Sequence, residues 1–144
     1  MPLEGQYLPS TSDWARKQAE LIESSGGTQG TDLNGRPVIV LSTRGARTGA
    51  VRKTALMRVE HEGSYAVVAS KGGAPSHPQW YFNLIAHPEV ELQDGHEKHD
   101  FLAHEATGAE REEWWARAVE AFAPYAEYQE KTSRLIPVFV LERA

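Results

Sequence analysis

The chain has 144 residues, 40% of them hydrophobic, with 20 acidic side chains against 15 Lys and Arg and a net charge of −5; that length supports one core and disfavours a second domain, and the acidic balance disfavours nucleic acid as a partner. It contains no Cys, which removes disulfides, thiol nucleophiles and thiolate metal ligands. No apolar run approaches the roughly 18 residues of a membrane span and the first residues lack a secretory pattern, so a cytoplasmic location is the expectation.

Residues 1–30 read as a tail and one amphipathic helix, with Ser12 or Asp13 as N-cap, Trp14, Leu21 and Ile22 at helical spacing, and Gly26 and Gly27 as the stop. Residues 31–144 read as a single domain. The β-branched run "PVIVLST" predicts a strand over 37–43, and "TALMRVEH" and "SYAVVAS", separated by Glu62 and Gly63, predict a hairpin. "HPQWYFNLIAHP", bounded by Pro78 and Pro88, predicts a short helix with Trp80, Leu84 and Ile85 inward. Strands are predicted over 90–93 and 98–105. In "TGAEREEWWARAVEAF", Thr107 opens a capping box closed by Glu110, and Trp114, Ala118, Val119 and Phe122 form one stripe. "PYAEYQEKTS" predicts a further helical segment before a last strand in "IPVFVLE". About six short strands with a few helices indicate an α+β fold built on a small antiparallel barrel or curled sheet.

The stretch "LSTRGARTGAVRKTALMRV", residues 41–59, carries Arg44, Arg47, Arg52, Lys53 and Arg58, with no acid between Asp32 and Glu60. Gly45 and Gly49 punctuate a turn directly after a strand, where glycine admits close backbone approach or positive φ. With the Thr43 and Thr48 hydroxyls and the guanidinium groups, the turn can cradle a phosphate or carboxylate; a solvated basic hairpin fits the spacing equally well. Neither a P-loop nor a dinucleotide fingerprint is present. Lys71, Gly72 and Gly73 repeat the design after another strand, and they also read as a plain loop. The six histidines are scattered and predict no metal site.

Three blocks, "LSTRGARTGAVRKTALM", "VVASKGGAPSHPQWYFNLIAHPEVELQ" and "YAEYQEKTSRLIPVFVLE", taken in this order over residues 38–142, resemble the deazaflavin-dependent nitroreductase and quinone reductase family. Ala46 stands where that family usually carries a basic residue, with Arg44 a candidate replacement, and Ala55 stands where it usually carries proline. The resemblance implies a split β-barrel of about six mostly antiparallel strands with flanking helices. It implies coenzyme F420 as cofactor, a hydride carrier with a phosphodiester and oligoglutamate tail, and a quinone or nitroaromatic acceptor. Arg47, Arg52 and Lys53 would then meet the tail, Thr48 and Gly49 would shape the turn, and Met57, Val68, Ser70, Lys71, Gly72, Trp80 and Asn83 would line the deazaflavin pocket. Lys53, following the turn, is expected to matter less than the arginines. Tyr125 and Tyr128 are candidate catalytic donors to the acceptor oxygen, Tyr125 at least as strongly as Tyr128; ordinary amphipathic packing explains them equally well. An F420-reducing dehydrogenase would resupply the cofactor indirectly. The N-terminal helix reads either as a packing helix or as a contact to the membrane surface where a lipid quinone resides. An FMN-binding oxidoreductase on the same architecture, or a non-catalytic F420 carrier, would also use such a cradle.

Overall fold

A computed structural model describes residues 20–22, 24–25, 32–33, 36–46, 49–70, 73 and 77–144. The helix expected to start near Trp14 therefore lies outside the described residues except for its end, where residues 20–22 are helical and Ile22 is fully buried. The elements run β1 (Asp32–Leu33), β2 (Arg36–Arg44), β3 (Val51–Met57), β4 (Glu60–His61), β5 (Ser64–Val68), α1 (Gln79–Ala86), β6 (Glu89–Asp94), β7 (Glu97–Glu105), α2 (Gly108–Ala121), α3 (Pro124–Lys131) and β8 (Val138–Arg143). No described helix is long and apolar enough to cross a membrane.

The eight strands form one antiparallel sheet in the order β1-β2-β6-β7-β8-β5-β4, with β3 added to β2. The sheet curls back on itself at Arg58 and Val59. There the Arg58 N–H donates to Pro37 O at 3.0 Å and the Ala66 N–H donates to Val59 O at 2.9 Å, so two residues join the β2 side to β5. Side chains reinforce this seam: Arg58 Nε donates to Asp94 Oδ2 at 2.8 Å, and the Tyr65 hydroxyl donates to the same oxygen. The result is a split β-barrel.

Strand alternation sends side chains to two cores. Ile39, Leu41, Val67, Leu92, Phe139 and Leu141 fill the barrel with Trp80 and Leu84 of α1. Val38, Val40, Ala55, Met57, Ala66, Val68, Val138 and Val140 face outward beneath Trp114, Ala118 and Tyr125 of α2 and α3, with Ile22 alongside. Full burial of each large aliphatic or aromatic side chain contributes about 1.5–3 kcal/mol, so strands that are apolar on both faces become the most stable part of the molecule.

Three expectations change in detail. "TALMRVEH" is not one strand: residues up to Met57 pair with β2, because the tight turn at Gly45 to Ala50 brings that partner first, and only Glu60 and His61 pair with β5. Ile85 is 57% exposed, since the buried face of α1 is set by Trp80, Asn83 and Leu84 at helical spacing and Ile85 falls beyond it. The capping box does not close. Thr107 makes no side-chain cap bond; Gly108 sits at φ 58°, and Glu110 turns instead to His104 Nε2 at 3.0 Å.

Candidate functional site

Antiparallel pairing places the ends of β2, β5 and β7 and the starts of β3, β6 and β8 at one end of the barrel. Most of the described residues expected in the site gather there. Met57 does not, because it pairs with Val38 at the opposite end of β3.

The β2–β3 turn is internally fastened. Gly45 N–H donates to Ala50 O at 2.7 Å, and Gly49, at φ 70°, donates to Gly45 O at 3.0 Å. Arg44 Nη1 donates to Gly49 O at 3.3 Å, which fastens this cation to the turn beside Ala46. Asn83 pins the turn to α1. Its Oδ1 accepts from the Ala46 N–H at 3.0 Å and its Nδ2 donates to Thr43 Oγ1 at 3.0 Å, with Asn83 and Thr43 both buried. Asn83 is thus a brace for the turn, and Trp80 packs edge-on to Phe139 inside the barrel. Arg47 and Thr48 lie outside the described residues.

Register separates the two cations that follow. Arg52 pairs with Thr43 and Lys53 with Ser42, so Arg52 lies on the interior side with Leu56, whereas Lys53 lies on the outer face with Ala55 and Met57. Val68, Tyr125 and Tyr128 belong to that outer face. The structure therefore divides the expected pocket between two sides of the sheet: Lys53, Val68 and the tyrosines on one, Arg52, Trp80 and Asn83 on the other.

A second loop leaves β5 at the same end. Lys71 and Gly72 lie outside the described residues, but both sides of them are clamped. Gly73 N–H donates to Ser70 O at 2.9 Å, and Gly73, at φ 84°, packs so closely on α3 that an added Cβ would stand 2.8 Å from Tyr128 O. Arg134, which the sequence reading missed, fastens the other side. Its Nη2 donates to Ser70 O at 2.8 Å and its Nη1 to Ala69 O at 3.1 Å, and Nη1 also lies 3.0 Å from His77 Nδ1. Gln129 of α3 holds the Arg134 segment in turn, donating to Arg134 O at 2.8 Å and accepting from the Ile136 N–H at 2.9 Å. An arginine in an irregular segment before a strand carries no sequence signature of this role.

The aromatic residues of α3 form a cluster. Tyr125 lies 5.0 Å from Phe122 and 6.2 Å from Tyr128, ring to ring, and is only 5% exposed, whereas Tyr128 is half-buried. Burial pushes the Tyr125 phenol well above its ordinary pKa, with Tyr128 adding to the effect. A buried neutral phenol can donate a hydrogen bond and resists ionisation.

A hairpin whose sequence carries several cations and no acid between Asp32 and Glu60, beside an apolar outer face packed against α3, has the donor chemistry that phosphate and carboxylate groups require. The fold is that of the split-barrel oxidoreductases. The model of the F420H(2)-dependent quinone reductase family matches residues 14–143, and the chain belongs to that family, whose enzymes use coenzyme F420. It is 39% identical over 110 residues, 74% of each chain, to an F420H(2)-dependent quinone reductase of Mycobacterium tuberculosis. Among solved structures, an F420-H2 dependent reductase is 57% identical, with a TM-score of 0.71 covering 74% of this chain and 95% of that one. Another, described as a domain-swapped dimer, is 54% identical with a TM-score of 0.73, covering 92% of this chain and all of the other.

Proposed function

We propose that the chain reduces a quinone with hydride from reduced F420, the cofactor lying along the outer face between the β2–β3 turn and α3. The observation that carries this reading is the alignment of Lys53, Val68 and Tyr128 on one face of the sheet beside the braced turn. When bound, F420 supplies the two-electron hydride. The chain binds and orients: Lys53 holds tail anions, with Arg47, Thr48, Gly49, Arg52, Lys71 and Gly72 contributing around the turns and Ser70 at the strand end. The α3 aromatics exclude water, and the half-buried Tyr128 donates to the acceptor oxygen as negative charge develops. Tyr125 supports it from beneath.

Nitroaromatic compounds, being electron-poor, are alternative acceptors at the same face. Reduced cofactor would come from an F420-reducing dehydrogenase. A lipid quinone would be met at a membrane surface, where the N-terminal helix would rest; co-sedimentation with anionic vesicles, abolished by removing residues 1–19, is the expected sign.

The test of the main reading is a titration with oxidised F420 beside FMN, followed by steady-state reduction of a soluble menaquinone analogue. Tight F420 binding with turnover is expected. Stoichiometric FMN after purification, with no response to F420, would overturn it.

A further inference from the structure

We propose that Arg134 is a positioning residue for this site, fixing His77 as a neutral hydrogen-bond donor to an oxygen of the bound cofactor or acceptor. The inference rests on the F420 reading for the identity of the ligand, and on geometry for the rest. A guanidinium has donors only, so with Arg134 Nη1 3.0 Å from His77 Nδ1, the imidazole nitrogen must accept. Its proton therefore sits on Nε2, which has no hydrogen-bond partner among the described residues. The ring cannot rotate away easily, because it stacks on Tyr81 at 4.0 Å with 21° between planes and meets the edge of Phe82.

The same guanidinium holds Ala69 O and Ser70 O at the end of β5, so one side chain sets both the strand end and the histidine. Protonation of Nδ1 would place two cations in contact. Burial and then the Arg134 charge lower the His77 pKa; Glu105 at the end of β7 opposes them, and Tyr81 brings no charge. The shift favours the neutral ring, and protonation at lower pH would keep the Nε2–H but break the Arg134 contact at Nδ1. A neutral donor suits a carbonyl oxygen that gains negative charge during reduction, since it need not give up its proton to act.

The first measurement uses ligand-free protein, so that it is independent of activity. Nitrogen-15 imidazole spectra of the wild type should show the Nε2–H tautomer with a midpoint below the ordinary ~6.5. Arg134→Met should return the midpoint toward that value and mix the tautomers. The second measurement compares His77→Leu with His77→Gln, which keeps a terminal N–H. His77→Leu should cost about tenfold, and His77→Gln should recover most of it. The loss falls on the F420 Kd, by fluorescence titration, if the cofactor is the partner, and on the quinone KM with unchanged F420 affinity if the acceptor is. A wild-type His77 with an ordinary midpoint or an Nδ1–H tautomer would overturn the Arg134 role. F420 affinity and quinone KM both unchanged in His77→Leu would overturn the donor role. Failure of the wild type to bind F420 would instead sink the functional reading and the donor role with it, the spectra still deciding what Arg134 does.

Discussion

The pleat of β3 decides which of two adjacent cations a ligand on the outer face meets. Lys53 shares that face with Ala55 and Met57, and Arg52 the interior side with Thr43, so a cofactor on the proposed outer face predicts the reverse of the order expected when only their distance from the turn is known. Lys53→Ala should therefore weaken F420 binding about tenfold or more, and Arg52→Ala less, with added salt acting in the same direction; fluorescence titration at two ionic strengths checks both. The proposed site predicts a similar reversal for the tyrosines. Tyr128→Phe should lower quinone reduction by about 10²-fold at unchanged F420 affinity, the low end for a lost proton donor, whereas Tyr125→Phe should act more weakly, its buried ring being kept. Parallel binding and turnover assays separate the two, and a Tyr125→Phe defect larger than that of Tyr128→Phe would restore the sequence-based order. Residue types at these positions were readable in the sequence; the side of the sheet was not, because a strand's face is defined only once its register is known.

At the level of elements, periodicity and turn residues located the strands at 36–44, 89–94, 97–105 and 138–143 and the helices at 79–86, 108–121 and 124–131 to within a few residues. Partnership was less legible. The strand ending at Met57 joins β2 through long-range register that no local pattern encodes, and the Thr107 cap lost its acid to a histidine on β7. At the loop leaving β5, backbone conformation is tied to α3. Gly73 lies in the left-handed region with Tyr128 O where a Cβ would go, so Gly73→Ala strains both the backbone and the α3 contact. A loss of about 1–3 kcal/mol is expected in urea unfolding, together with weaker F420 binding through displaced Ser70. Wild-type stability and affinity in that variant would mean that the loop and α3 are not coupled.

For the molecule as a whole, the seam at Arg58 and Val59 ties stability to alkaline pH. Burial, then the hydrogen bond and charge of Asp94, push the Tyr65 phenol up to about 12 from an ordinary value of 10.0, while Arg58 pulls the other way. The folded state thus holds a proton that the unfolded chain gives up first, so the stabilisation is complete below pH 10 and is lost as pH rises toward 12. Urea midpoints should fall across that window in the wild type, and Tyr65→Phe should flatten the decline; an equal decline in both would assign it to other groups.

The position of β8 has a consequence for how the protein is made. β8 follows every other strand in the chain yet lies between β7 and β5 in the sheet. During synthesis β5 has only the two-residue β4 as a ladder partner until β8 emerges, while β2, β3, β6 and β7 can already pair among themselves. Until β8 is in place, β5 and β7 each lack a final ladder partner, the kind of strand edge that attracts chaperones or a second copy. Arg134, Gln129 and the α3 aromatics are also translated late, so the proposed cofactor site is complete only once the last part of the chain has been made.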